Sequence, residues 1–158
     1  MTDYSFLNKI DAVILCGGPG RRLGAITKDI PKPMAMIGNK PFLEILIRHV
    51  SSFGFNRFVL CAGYKKEEIE DHFRTHKGDI EIVFSEEGEG NLLGTAGAIK
   101  KAEKVIKSDT FLVMNGDSFA DIDLGSFLEF HGKKRASISI ALAKSAQRDD
   151  TGLVRLGE

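Results

Sequence analysis

Four short apolar runs, separated by helix-like stretches, constrain this chain more than any other feature. They are "DAVILC" (Asp11–Cys16), "RFVLCA" (Arg57–Ala62), "DIEIVFS" (Asp79–Ser85) and "TFLVMN" (Thr110–Asn115). Each is too short for a stable helix, is rich in Val, Ile, Leu and Phe, and ends near Gly or polar residues, so each reads as a strand. Between the first two, "PFLEILIRHVSSF" puts Phe42, Leu46, Val50 and Phe53 at helical spacing, with Leu43 and Ile47 widening the stripe. Pro41 suits the first helical position there, Asn39 suits a cap before it, and Gly54 ends the run. "KKEEIEDHF" places Ile69 and Phe73 four apart. From about Thr95, residues Ala98, Ile99, Ala102, Val105 and Ile106 form one apolar face. Beyond Asn115, Asp123 is placed to cap a short helix, "LGSFLEF". "ASISIALA" (Ala136–Ala143) alternates as a further strand, and "GLVRLGE" reads as the start of another.

Strand–helix alternation implies right-handed crossovers. The expected fold is therefore α/β: a Rossmann-like three-layer α/β/α sandwich around a mostly parallel, mixed sheet. At 158 residues, one domain is expected across 1–158. Lys plus Arg and Asp plus Glu each number 22, which argues against a general nucleic-acid or membrane-surface binder. The start, "MTDYSFLNKI", lacks the basic and apolar regions of a signal peptide, and no apolar run approaches a membrane span. Cys16 and Cys61 end strand-like runs without metal-ligand spacing, so they read as reduced core thiols of a cytoplasmic protein.

Open α/β sheets bind ligands beyond the carboxyl ends of their strands. Those exits carry "GGPGRRL", "GY", "EEGEGNLLGTAG" and "NGDS" in turn, so glycines collect at all four. The first exit is neither of two familiar phosphate loops. It lacks the Gly-Lys-Ser/Thr of a P-loop, and Leu23 stands where a dinucleotide fingerprint needs its third glycine. The second strand exits into Ala62, Gly63 and Tyr64, with no acid for a ribose, which weighs against an oxidoreductase. Arg21 and Arg22 would instead bring guanidinium donors to a phosphate chain, although solvated arginines on an ordinary turn are the better explanation of this segment taken alone. Lys32 stands between Pro31 and Pro33, which restrict the backbone and hold the lysine stem extended, suiting it to a phosphoryl oxygen or to a plain surface loop. Asp117, directly after a strand, suits Mg²⁺ held with phosphate oxygens, or simply a turn. Gly94, Thr95 and Gly97 at a helix start leave room for a nucleobase or for close helix–sheet packing.

Taken in order, "LCGGPGRRL", "PKPM", "LGTAGA" and "NGD" resemble the sugar-1-phosphate nucleotidylyltransferases over roughly Ala12 to Glu158. "KPFLE", "GYKKEEIEDHF", "LGTAGAIK" and "NGDSFADIDL" are most like the D-glycero-D-manno-heptose 1-phosphate guanylyltransferase subgroup. The resemblance implies an enzyme that takes an NTP, GTP in that subgroup, and a sugar 1-phosphate, giving an NDP-sugar and pyrophosphate for bacterial surface polysaccharide. By position, the backbone of Leu15, Cys16, Gly17, Gly18 and Gly20 would cradle the nucleotide, and Gly94 and Thr95 would border base and ribose. Arg22 and Lys32 would be the catalytic cations, and Asp117 would hold the Mg²⁺ cofactor. Neither nucleic acid nor membrane is an implied partner, and a homo-oligomer is left open. Two departures stand out. Arg21 replaces the family's usual Thr, and the family's Glu-Lys sugar-binding segment and second metal Asp have no counterpart before Glu158. The chain is thus expected to be the nucleotide-binding portion of a longer enzyme, with a catalytically weak nucleotide-binding or regulatory module as the alternative.

Overall fold

The computed structural model describes residues 4–18, 30–74, 78–86, 93–143 and 154. The chain divides into two compact units, Met1–Gly125 and Ser126–Glu158. The first unit is built on β1 (Asp11–Leu15), β2 (Met36–Ile37), β3 (Lys40–Pro41), α1 (Phe42–Ser51), β4 (Arg57–Ala62), α2 (Lys66–Arg74), β5 (Glu81–Glu86), α3 (Gly94–Ala102) and β6 (Phe111–Asn115). Most of α4 (Leu124–Lys134) belongs to the second unit.

The four longer strands form one parallel sheet in the order β5-β4-β1-β6. From β1 the chain steps through β4 to β5, then crosses back to place β6 on the other side of β1. Right-handed crossovers put α1 and α2 on one face for the outward steps and α3 on the opposite face for the return. Side-chain contacts agree. Val13, Val59 and Cys61, which share a face by the period of two, are buried against Ala98 and Ala102 of α3. Val105, Ile106 and Phe111 pack against the same cluster. The alternate set, Ala12, Ile14, Phe58 and Leu60, is fully buried too. A strand covered on both faces reads as an unbroken apolar run, which is why β1 and β4 are so plain in the sequence. Each such Val, Leu or Ile contributes about 1.5–3 kcal/mol by burial.

In α1 the buried stripe is Leu43, Leu46, Ile47 and Val50, one turn-face wide, so Leu46→Ala would cost about 2–5 kcal/mol. Its start differs from the expectation. Pro41 is the N-cap, not the first helical residue, and no side chain caps the helix. Asn39 is instead occupied in the turn between β2 and β3, whose Gly38 has φ +64, the conformation a two-residue hairpin loop requires. The N–H of Phe42 finds the Ala35 carbonyl at 2.9 Å, which satisfies the first free amide of the helix through backbone. The C-terminal end stops as expected, with Gly54 at φ +109. Asp123 does stand immediately before α4, and it accepts the Tyr4 hydroxyl at 3.0 Å.

At the amino ends of the strands, Asp11, Arg57 and Glu81 are register neighbours across β1, β4 and β5. Arg57 Nη1 donates to Asp11 Oδ2 at 2.8 Å, Nη2 donates to the Val105 carbonyl at 2.9 Å, and Nε lies 3.1 Å from Glu81. The same Asp11 oxygen accepts the Lys107 N–H at 2.6 Å, and Ser108 Oγ accepts the Asp11 N–H at 2.9 Å. This network ties the α3–β6 connection to the sheet.

In the second unit, Arg135 at φ 48 ends α4, and His131 Nδ1 meets Ser139 Oγ at 2.9 Å. The expected strand at Ala136–Ala143 does not form. Alternation favours a strand only where a neighbour supplies a ladder, and no described strand pairs with this segment. Ile138 and Ile140 stand 78% and 69% exposed. "GLVRLGE" lies outside the described residues apart from Val154.

Candidate active site

The order of the sheet reverses between β1 and β6, and there the carboxyl ends of adjacent parallel strands open a crevice. Leu15 and Asn115 are register partners at this edge. A cleft of about 360 Å³ lies there, within the range of small-ligand sites.

Its floor is the end of β1. The Cys16 N–H continues the ladder to the Cys61 carbonyl at 2.8 Å, and the Tyr64 N–H reaches the Gly17 carbonyl at 3.5 Å. The Cys16 thiol is buried, and burial above all, with the charges of Cys61 and Asp117, pushes it far above its ordinary value. It is therefore an inert wall and no nucleophile. Gly18 is exposed, with open space where a Cβ would stand.

The β6 side is set by a close approach. The Gly116 N–H donates to the Leu15 carbonyl at 2.9 Å. A Cβ at Gly116 would sit 2.9 Å from Cys16 Sγ and 3.0 Å from that same carbonyl oxygen. Glycine alone lets β6 turn this tightly, and the turn brings Asp117 over the cleft.

On a third side Lys32 opens a short 3-10 turn (Lys32–Met34) preceded by Pro31, whose neighbours Pro33 and Met34 are buried. The turn is closed by Met34 N–H to Pro31 carbonyl at 2.8 Å and Ala35 N–H to Lys32 carbonyl at 3.1 Å. The fourth side is the start of α3, where Gly94 has φ +65 and faces open space. No acidic side chain stands in the first turn of α3, so its amide dipoles favour an anion. Gly97 has another reason: a Cβ there would meet the Leu93 side chain at 2.8 Å.

Lys32 and Asp117, 85 residues apart in sequence, meet in this cleft: Nζ lies 2.6 Å from Oδ2. Ser118 Oγ donates to the other carboxylate oxygen at 3.0 Å. Partial burial opposes ionisation of Asp117, but the Lys32 and Ser118 bonds outweigh it and hold its carboxyl below the ordinary value. Among the described residues, no group of three or more His, Cys, Asp or Glu forms a self-sufficient metal cage. A cation shared between protein and polyphosphate needs as little as one ionised carboxylate from the protein, and Asp117 at the cleft fits that use.

Leu15, Cys16, Gly17, Gly18, Lys32, Gly94, Thr95 and Asp117 thus line one cleft. Gly20, Arg21 and Arg22 lie outside the described residues. Pro33, Ala98 and Asn115 also line it and escaped the sequence reading. Asn115 was visible in principle, as the first residue of "NGD" at a strand's carboxyl end.

Parallel strand order and a crevice at the switch point define an open α/β protein whose ligand site lies at the carboxyl ends of its strands. The chain belongs to the nucleotidyl transferase family, whose model matches residues 11–158. It is 43% identical to D-glycero-alpha-D-manno-heptose 1-phosphate guanylyltransferase of Campylobacter jejuni, over 94% of this chain and 64% of that one. The protein of the same name from Aneurinibacillus thermoaerophilus is 37% identical, over 92% and 62%. Among solved structures, HddC from Yersinia pseudotuberculosis complexed with GMP-PN superposes with a TM-score of 0.68 at 39% identity. That match covers 77% of this chain and 54% of HddC. The chain therefore spans less than two thirds of the length of these relatives. Among the described residues, no helix is long and apolar enough to cross a membrane.

Proposed function

We propose that this chain carries the nucleotide-binding site of a Mg²⁺-dependent sugar-1-phosphate nucleotidylyltransferase. GTP is the nucleotide and a heptose 1-phosphate the acceptor. The observation that carries the reading is the meeting of Lys32 and Asp117 at the switch-point cleft, between the glycine turn after β1 and the start of α3. The names of the two relatives support the choice of guanylyl transfer and heptose.

In the reaction, an oxygen of the sugar phosphate attacks the α-phosphorus of the NTP. A new phosphoanhydride bond forms as the α–β bridge breaks, and pyrophosphate leaves with the electron pair. No covalent enzyme intermediate is required, so the protein's contribution is positioning and charge neutralisation. The backbone from Leu15 to Gly18 and at Gly20 holds the nucleotide close, as only glycine-rich chain permits. Gly94 and Thr95 border the base and ribose. Lys32 places its ammonium at the α-phosphate and the incoming phosphate, which otherwise repel each other. Arg22 neutralises the leaving pyrophosphate. Asp117 presents one carboxylate to Mg²⁺, which when bound would screen phosphate charge and polarise the α-phosphoryl group. The reaction belongs in the cytoplasm, where NTPs are made, and its product is an activated sugar for a surface polysaccharide.

Pyrophosphate release with GTP and Mg²⁺ across a panel of sugar 1-phosphates tests this. Release with heptose 1-phosphate above the hexose 1-phosphates is expected. Nucleotide binding without release for any sugar would replace the enzyme with a nucleotide-binding module.

A further inference from the structure

Both partners of the cleft ion pair hang from fixed backbone, and only the lysine stem is free to swing. Lys32 sits in a turn closed by two hydrogen bonds and anchored by buried Pro33 and Met34. Asp117 follows Gly116, which is wedged against β1 with no space for a Cβ. With Nζ at 2.6 Å on Oδ2 and Ser118 Oγ at 3.0 Å on Oδ1, both carboxylate oxygens are engaged. An ammonium at bonding distance also repels any second cation approaching that carboxylate. The two side chains are 32% and 33% exposed, so water can stabilise each partner when the pair opens. Such a pair is weak enough to exchange, unlike a buried one.

We propose that Lys32 serves as the resident counter-cation of Asp117 in the empty site. It transfers to a triphosphate when one binds, so that Asp117 accepts a divalent cation only together with nucleotide. The inference rests on the roles given above to Lys32 and Asp117 and adds a coupling between them. One lysine then has two successive anionic partners, carboxylate and then phosphate. The exchange keeps a cation from occupying the site without nucleotide.

Two binding measurements on the full chain test the exchange without any turnover. Free Mn²⁺, followed by its paramagnetic resonance signal without nucleotide, should bind Lys32→Met about tenfold more tightly than wild type, because the competing ammonium is gone. GTP titrated calorimetrically in the presence of a chelator should bind Asp117→Asn about twofold more tightly than wild type, because Lys32 is released in advance. That second gain should vanish when Asp117→Asn is made in the Lys32→Met background. A gain of equal size in both backgrounds would show simple repulsion between carboxylate and triphosphate and would overturn the exchange. Unchanged Mn²⁺ affinity in Lys32→Met would overturn it as well. Lys32→Gln gives a second neutral variant, and circular dichroism melts confirm that each protein is folded. Wild type failing to bind GTP with Mn²⁺ present would instead overturn the functional reading itself. Ternary binding without the coupling removes only the exchange.

Discussion

The two ends of the same sheet each hold an acid–base pair, and the two pairs are built for opposite purposes. At the amino end, Asp11 and Arg57 have side chains only 4% and 10% exposed, and both are bonded further to backbone groups or to Glu81. At the carboxyl end, Lys32 and Asp117 are about a third exposed and open onto a cleft. Charges buried among close partners have nowhere better to go, so the first pair locks β1, β4 and the α3–β6 connection. Charges that water can reach exchange partners at little cost, so the second pair can open as the proposed exchange requires. Parallel strands put this asymmetry at fixed places, since all their carboxyl ends point the same way.

The largest expected effect breaks the locked end. Asp11→Ala leaves the Arg57 guanidinium buried without its main partner and should cost about 3–5 kcal/mol in denaturant melts. Adding Arg57→Met should recover part of that loss, since an apolar side chain tolerates the site better than an orphaned charge. Next comes Gly116→Ala, at the hinge of the open end. Its Cβ would press on the Leu15 carbonyl and Cys16 Sγ, costing about 1–3 kcal/mol and moving Asp117 away from Lys32. A melt and a GTP titration together check both consequences.

A third pair lies between these extremes. Glu44 of α1 accepts from Lys40 at 3.1 Å, from Arg48 at 2.8 Å and contacts His72 of α2 at 3.0 Å. Burial raises its carboxyl, but these bonds prevail and bring it down to about 2. The folded value lies below the ordinary 4.5, so the stabilisation is complete above about pH 4.5 and fades as pH falls toward 2. Discounted for solvent screening of its partners, it is worth about 1–2 kcal/mol, and Glu44→Gln should lose that amount at pH 7 and flatten the acid limb. The smallest effect on stability belongs to Lys32→Met, within about 0.5 kcal/mol, because its pair is exposed.

The sheet was legible because β1 and β4 are buried on both faces and so appear as unbroken apolar runs. The β2–β3 hairpin was not, because two residues on each side carry no periodicity, and its turn claimed Asn39 and shifted Pro41 to the cap. At Ala136–Ala143 the alternation was real but had no ladder to join among the described residues. In the cleft, the glycines and Asp117 stood out at strand exits and Lys32 between its prolines, but it was the family resemblance that joined eight of the lining residues into one site. Pro33 and Ala98 did not stand out, since as a ring and a methyl they resemble any packing residue. The Lys32–Asp117 pair was invisible for a different reason: each residue stood out, but nothing in sequence says that segments 85 residues apart bond to one another.

The decisive measurement is a calorimetric GTP titration, with Mg²⁺ present, of wild type and Lys32→Met proteins of equal melting temperature. If the open pair is a phosphate site, wild type binds and the variant loses about tenfold or more in affinity. Equal affinity in the two proteins would mean that Lys32 meets no phosphate and that the carboxyl-end pair is merely another surface salt bridge.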